Sequence, residues 1–484
     1  MATGFFHGVK ATQVQTSLIV PNVAGSGITF AVGTSPAHMV ARGTVQKPVY
    51  GDSYNQSVLQ LGYSDEWTRE GKPFYSLCEV MFAHFRLYGT APVIFVNVLD
   101  PEKHRTIKAP AVFPLVEGRA RLPLEALIDT VTVTDYIRGT DYELFYDNRG
   151  LVLEILDGGN IPPTATEIEA GFIEVDPTLV TKNDIIGGFD VVTKKYTGFE
   201  LIDSVFPMFN IITDIIICPG WSHDPEVAAI MDAKCWMING IFTGKCIIDA
   251  DTEAVQHFAD IVQWKRSMNI FGKMQILCWP KLALAERVFN FSTQLAALIG
   301  QVDTNNGSIP SLSPSNQLMQ INTAVLANGE EVELTLPQAN MLNSNGVVTA
   351  LNFIGGFVCW GNWTACFPAN TDVKDFFIPV SRMFGWVGNS LILTFWTQID
   401  RRMTPRFADS IIDSGNIWLN GLTAAEHLLG GRFEFRAEDN TVLDIMAGII
   451  RIRVFMTPPS PAVEVEFLQE YDISYVRQAF GLAG

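Results

Sequence analysis

Between residues 214 and 299 the chain alternates three times between a short apolar run and a longer segment of helical spacing. The runs are Asp214-Ile-Ile-Ile-Cys218, Lys245-Cys-Ile-Ile248 and Met274-Gln-Ile-Leu-Cys-Trp279. Each is too short for a helix and too continuously apolar for a strand with one wet face, so each reads as a strand buried on both sides. The first crossover opens at Pro225, a favoured first helical residue after Asp224, and predicts a helix over 225–239. The second, 252–268, places Val255, Phe258, Ile261, Val262 and Met268 on one face, and the third predicts a helix over 282–299. Strands and helices in this order predict an α/β core with a mainly parallel sheet and right-handed crossovers.

The same alternation begins upstream. A strand over 28–32 is followed by helix-spaced Leu77, Val80, Met81, Phe85 and Leu87, a stop at Gly89, and a buried strand over 92–98. The stretch 101–195 differs. Tyr142-Glu-Leu-Phe-Tyr146 and Leu151-Val-Leu-Glu-Ile155 flank Asp147-Asn-Arg-Gly150, a hairpin signal, and glycine and proline pairs punctuate the rest. It reads as a small β-rich domain inserted into the α/β unit. Beyond the turn-rich 301–349 come Leu351-Asn-Phe-Ile-Gly-Gly356 and Val358-Cys-Trp-Gly-Asn362, and the pattern then predicts a helical stretch over about 373–400. A helix end falls at Trp418-Leu-Asn-Gly421, and Thr423-Ala-Ala-Glu426 fits a capping box for a further short helix. A strand is predicted over 449–455.

The two ends have a different texture. Residues 5–18 are polar, β-branched and free of helical periodicity, and end at Pro21 and the Gly25-Ser-Gly27 flexure. They read as an extended arm or as a first strand of the domain itself. At the other end Pro458-Pro-Ser-Pro461 breaks regular structure, and Ala462-Val-Glu-Val-Glu-Phe467 then alternates without error. Val463, Val465 and Phe467 face one way, Glu464 and Glu466 the other. Such a strand after a stiff linker is either delivered to another subunit's sheet edge or laid on its own domain as an edge strand.

Size and charge exclude several classes. At 484 residues, 48% hydrophobic, the chain exceeds one ordinary core and predicts two to four domains. The net charge of −18, with no basic cluster beyond pairs such as Lys194-Lys195 and Arg401-Arg402, argues against direct nucleic-acid binding. The mean hydropathy of +0.19 is high, yet the most apolar stretch, 376–396, is interrupted by Arg382 and reads as a buried helix with no stable membrane insertion. The start lacks a basic, apolar leader, so synthesis and residence in the cytoplasm are expected. Seven scattered cysteines without a CxxC read as buried thiols in a reducing compartment.

Catalytic constellations fail one by one. Gly33-Thr-Ser-Pro-Ala37 resembles the serine motif of subtilisin-like proteases, where base and carboxylate precede the serine. Here only His7 precedes Ser35, and no Asp does. Gly240-Ile-Phe-Thr-Gly-Lys245 is one residue short of a phosphate loop, with Cys246 where a magnesium-binding Ser or Thr belongs. The seven histidines form no metal-ligand spacing. His223-Asp224 lies in a βα loop, yet Asp224 fits a plain helix cap. No catalytic, cofactor or metal site is expected.

Several segments, in order, resemble the tail sheath proteins of contractile phages and related bacteriocins. They are Phe6-His7-Gly8-Val9, the turn after Ala31-Val-Gly33, Leu77-Cys-Glu-Val-Met-Phe82, Ile378-Pro-Val-Ser-Arg-Met383 and Arg451-Ile-Arg-Val454 with the terminal strand. Val358-Cys-Trp-Gly-Asn-Trp-Thr364 is similar to the family's WGxRT-type segment, with Trp363 where many relatives carry arginine. The resemblance implies a subtilisin-like layered core without the protease's active site, and an outer inserted domain. It also implies terminal arms that pair with neighbouring subunits, here through Val9, Ala11, Gln13, Val14 and Gln15 and through Val463, Glu464, Val465, Glu466 and Phe467. It implies a subunit that polymerises in stacked hexameric rings around an inner tail tube protein, meets baseplate and tail terminator proteins, and contracts to drive the tube through a target cell envelope. The location implied is a virion tail or bacteriocin particle assembled in the host cytoplasm.

The resulting division is an N-terminal linker arm at 1–24, core at 25–100, inserted β-rich outer domain at 101–195, continued core at 196–370, a tube-facing C-terminal core domain at 371–457 with 410–430 nearest the tube, and a C-terminal linker arm at 458–484. Competing readings are a cytoplasmic α/β hydrolase-like enzyme resting on the sheet and the His223-Asp224 loop, and a monomeric adhesin-like protein using the inserted domain.

Overall fold

The computed structural model describes residues 19–481 apart from residues 42 and 148. Its centre is an eight-stranded sheet made of β1 (Thr29–Gly33), β2 (Val49–Gly51), β3 (Val93–Asn97), β4 (Ile215–Ile217), β5 (Lys245–Asp249), β6 (Gln275–Cys278), β7 (Val347–Asn352) and β8 (Phe357–Trp360). The order is β2-β3-β1-β4-β5-β6-β7-β8. The pairings from β3 to β7 are parallel, and the outermost strands β2 and β8 run antiparallel to their neighbours. Phe30 of β1 stands between Ile94 and Ile216. Every residue of β1, β3, β4, β5 and β6 is buried, which is why these strands read as continuous apolar runs.

Several helices fall where caps and periodicity place them. α1 (Ser76–Met81) continues through the wider π turns of Phe82–Tyr88 and stops at Gly89, whose φ of 63° only glycine adopts without strain and whose N–H donates to the His84 carbonyl. α2 (Pro225–Trp236) starts under the Asp224 cap. α3 (Phe291–Asn305) is buried without a break from Phe291 to Gly300 and packs on β1, β4 and β5. α4 (Ile378–Phe395) and α5 (Pro405–Ala424) follow, and a two-stranded hairpin, β9 (Gly430–Phe435) with β10 (Ile452–Thr457), packs on α5. No helix among the described residues is long and apolar enough to cross a membrane.

Between β3 and β4 the chain builds a second, six-stranded sheet from residues 105–175, with its own core that includes Leu122, Leu144, Leu151, Leu153 and Phe172. The hairpin expected around Asp147 is there: Tyr142–Asp147 pairs antiparallel with Gly150–Ile155.

Three local expectations are corrected. Residues 282–289 form a hairpin, Lys281–Leu284 with Arg287–Phe289, turning through Ala285 at φ 53°, and the helix begins only at Phe291. A short apolar run does not distinguish a period of 2 from one of 3.6, and here Asn290 separates the two elements. The helix expected over 252–268 shrinks to a 3-10 turn, Phe258–Asp260, and Ile261–Ser267. Asp251 and His257 instead bind the amides of Glu253 and Ala259, side-chain turns that compete with a helix. Thr423 caps nothing. It lies inside α5, donates to the Leu419 carbonyl, and the chain turns through Glu426 at φ 63° into β9.

Candidate assembly surface

Several polar side chains that could have served a catalytic site hold the fold instead. His84 is fully buried between the Val80 carbonyl and Thr29 Oγ1, and burial lowers its pKa to about 4, so it is a neutral structural histidine. Ser35 is held through its backbone by Asn97. A cavity of about 630 Å³ at the carboxyl ends of β4 and β5 is lined by Lys72, His223, Asp249, Asp251 and Lys281. Its one deeply buried acid, Asp249, accepts from Ser292 N at 2.7 Å, Ser292 Oγ at 2.5 Å and Ser222 Oγ at 3.2 Å. Asp224 spends its side chain on the amides of Glu226 and Val227. Ser311 and His427 Nδ1 lie 2.8 Å apart, but no carboxylate bonds that imidazole among the described residues. No three His, Cys, Asp or Glu side chains among them group to hold a metal.

Beyond α5 the character is different: the polar bonds of the β9–β10 connector are local, and many apolar side chains after Pro458 are exposed. In α5 the missing side chain of Gly415 leaves room for the Phe433 ring of β9, and Asn416 Oδ1 accepts from Phe433 N at 2.8 Å. Phe433, opposite Val454, and Gly431, opposite Met456, face α5, while Arg432, opposite Phe455, and Glu434, opposite Arg453, face away. The connector between β9 and β10 is stapled by Arg453–Asp439 at 2.5 Å, Arg451–Asp444 at 2.9 Å and Asn440, which donates to the carbonyls of Arg436 and Arg451. No third strand joins this hairpin among the described residues.

The chain leaves β10 at Pro458 and forms no strand or helix until the short helix Ile473–Ala479. Val463, Val465 and Phe467 are 51%, 68% and 83% exposed, and Glu464 and Glu466 are exposed as well. The edge strand on its own domain is thus not formed among the described residues. Leu468, Tyr471, Tyr475 and Phe480 extend the uncovered apolar surface, which is more than a packed monomer normally leaves open. Val9, Ala11, Gln13, Val14 and Gln15 lie outside the described residues.

The root of the N-terminal segment is described and meets the same helix. Ile19 N donates to Ser414 Oγ of α5 at 2.9 Å, Asn22 N to Thr394 Oγ1 at 2.9 Å and Ala24 N to Ser390 Oγ at 3.0 Å, while Trp386 Nε1 donates to the Ala24 carbonyl at 2.8 Å. Both ends of the chain therefore depart from the neighbourhood of α5. Sequence reasoning missed these contacts. The only trace was the i, i+4, i+8 spacing of Trp386, Ser390 and Thr394 on one stripe of α4.

This α/β architecture, with its helix-backed hairpin, is similar in fold to solved contractile sheath proteins. The chain superposes on the sheath protein of an extracellular contractile injection system, the PVC sheath complex in its contracted state, with a TM-score of 0.56 and 13% identity, over 98% of this chain and 100% of the other. On the helical sheath of the anti-feeding prophage in its contracted state the TM-score is 0.57 at 12% identity, over 96% and 99%. At such identities the likeness is one of fold.

Sequence comparison carries the relationship further. The chain is 28% identical over 493 aligned positions, 97% of its own length and 98% of the other's, to the tail sheath protein of Burkholderia phage BcepMu. It is 28% identical over 147 residues, 30% of this chain and 36% of the other, to the major tail sheath protein of Serratia phage KSP20. No family model matches. The resemblance to contractile tail sheath proteins runs along nearly the whole chain, and none of these relatives supports the hydrolase reading.

Proposed function

We propose that this chain is the subunit of a contractile tail sheath, polymerising around an inner tube and contracting to drive that tube through a target cell envelope. The observation that carries the reading is the end-to-end relationship with a phage tail sheath protein. The uncovered segment 462–480 beside a two-stranded hairpin supports it from the side of physics. On this reading the protein is structural and catalyses nothing, its core is a subtilisin-like layered arrangement stripped of an active site, and the divisions at 24/25, 100/101, 195/196, 370/371 and 457/458 separate arms, core, outer domain and tube-facing domain. Its partners are copies of itself in stacked hexameric rings, the tube protein, and baseplate and terminator proteins. Its place is a virion tail or bacteriocin particle, assembled in the host cytoplasm.

The arms link subunits by strand addition. Val463, Glu464, Val465, Glu466 and Phe467 match the parity of the β9–β10 hairpin of a neighbouring copy. Val463, Val465 and Phe467 extend the apolar face that lies on α5, and Glu464 and Glu466 join the face of Arg432 and Arg453. Val9, Ala11, Gln13, Val14 and Gln15 form the corresponding strand of the N-terminal arm. Each backbone hydrogen bond adds about 0.5–1.5 kcal/mol, so a five-residue strand contributes several kcal/mol at every junction of the polymer. Backbone pairing through a linker survives rotation of the bodies, which side-chain packing between them does not.

The test is electron microscopy of the purified chain with and without residues 460–484. The cut lies there because Thr457 still pairs with Gly430, and Leu429 N donates to the Thr457 carbonyl. Ordered tubes that vanish on truncation, with the shortened chain still folded, are expected. Tubes formed equally by both chains would remove the C-terminal arm from the linkage, and hydrolytic turnover lost with His223→Ala would favour the enzyme reading.

A further inference from the structure

We infer that the root of the N-terminal arm is a two-stage tether: residues 19–22 sit in a releasable seat on α4 and α5, and Ala24 with the cluster of Ser26, Asp303, Arg382 and Asp214 is the stop beyond which the chain does not peel. The geometry of the seat is unusual. An extended chain advances about 6.6 Å in two residues, and a helix about 6 Å in four. Asn22 and Ala24 are therefore in register with Thr394 and Ser390, one helical step apart. Their amides donate to those two hydroxyls, Thr394 Oγ1 returns a bond to the Asn22 carbonyl at 3.3 Å, and the Trp386 indole takes the Ala24 carbonyl. Side chains thus stand in for a neighbouring strand. The outer part of the seat is shallow, and water can replace the hydroxyls there: Val20 is 83% exposed and a cavity of about 430 Å³ opens beside Ile19, Asn22, Thr394 and Arg401, whereas Ala24, Ser390 and Trp386 are buried.

From Ala24 inward the character changes. Asp303 of α3 is fully buried and accepts from Ser26 Oγ at 2.5 Å and from Arg382 at 3.0 and 2.5 Å. Arg382 also donates to Asp214 at 2.8 Å, and the other Asp214 oxygen accepts from Ile28 N at 2.8 Å. Burial works against the Arg382 charge, but the two carboxylates outweigh it and keep the guanidinium protonated. Gly27, at φ 73°, passes so close to Gly300 that a β-carbon would lie 2.8 Å from its Cα. These bonds share the buried Arg382 and Asp303, so none is lost without disturbing the others, and the cluster opens only with the core. Pulling on the arm then frees about four residues, roughly 13 Å of additional reach at about 3.3 Å per residue, and no more.

The geometry stands by itself; its use, lengthening the arm while subunits rotate, rests on the sheath reading. Residue-resolved hydrogen exchange on the full chain tests the first. The amides of Ile19 and Asn22 are expected to exchange at least ~tenfold faster than those of Ala24 and Ile28. Ser414→Ala with Thr394→Val should accelerate the first two about tenfold more and leave Ala24 and Ile28 unchanged. Equal rates at 19, 22, 24 and 28 in the unaltered protein would overturn the two-stage root. For its use, Asn22→Cys with Thr394→Cys pins the seat. Oxidised sheaths are expected to assemble but not shorten, and to shorten after reduction. Shortening while oxidised, with no free thiol remaining at these two positions, overturns the role. Failure of the unaltered chain to form sheath under any condition counts against the sheath reading and leaves the exchange result to decide the root.

Discussion

The Phe433 ring fills the space where Gly415 lacks a side chain: a β-carbon there would lie 2.6 Å from three of its ring atoms. Gly415→Ala would ordinarily favour the exposed interior of a helix. Here the clash outweighs propensity, because Phe433 is buried and its strand is held by pairing with β10. The variant is expected to lose about 1–3 kcal/mol in urea unfolding and to shift the hairpin off α5, which removes the receiving edge for a neighbour's arm. Unchanged unfolding together with normal tubes would show that the contact between α5 and the hairpin does not matter.

The Arg382 cluster makes a sharper stability prediction. Arg382→Met leaves two carboxylates facing each other in the core without their cation, a change of about 3–5 kcal/mol. Asp303→Asn keeps the shape and one acceptor and is expected to be milder. Chemical denaturation of both variants checks the order. If Arg382→Met were the milder of the two, the guanidinium would not be what holds the carboxylates.

How much of this was legible in the chain depended on whether the signal was local. β3, β5 and β6 appear as apolar runs because burial on both faces leaves no alternation to misread. The Gly89 stop and the Asp224 cap were visible because one residue type does one job there. The hairpin at 281–289 was hidden, since Leu282 and Phe289 suit either period and only the Ala285 turn decides. The arm root was hidden for another reason. Its partners lie 366 and 372 residues away, and a serine and a threonine in an apolar helix carry no mark of what they bind. The exposed alternation of Val463 to Phe467 was readable as a pattern, but whether it was covered required the fold.

Glu79 gives a pH signature. It is fully buried, and burial pushes its carboxyl up to about 7, against hydrogen bonds from Asn290 N and Nδ2 and the field of Lys281. In the unfolded chain it titrates near 4.5. Between those values the folded state holds more protons, so this group's stabilising contribution is complete below about 4.5 and falls as pH rises to about 7. Glu79→Gln keeps an acceptor for Asn290 and carries no charge. Relative to the unaltered chain it should gain about 3 kcal/mol between pH 4.5 and 7.5. Thermal unfolding across that range measures the difference, and a pH-independent gap would mean that Glu79 does not titrate there.

The two faces of the terminal strand are expected to tolerate opposite changes. Val465 and Glu466 are both exposed in the single subunit, so substituting either should leave its melting temperature in place. In the assembly they part company. Val465 is to join the apolar face that Phe433 and Val454 lay on α5, whereas Glu466 is to stand among Arg432 and Arg453 on the solvent side. Val465→Asp would bury a carboxylate without a partner and is expected to abolish tubes. Glu466→Gln loses at most a surface ion pair, worth about 0–1 kcal/mol, and should leave tubes intact while reducing their sensitivity to salt. Counting tubes by electron microscopy at low and high salt reads both effects. If Glu466→Gln abolished assembly and Val465→Asp spared it, the strand would be docked with its faces reversed. A one-residue register slip inverts every side chain in this way, so the arm would have to enter a different edge from that of the hairpin.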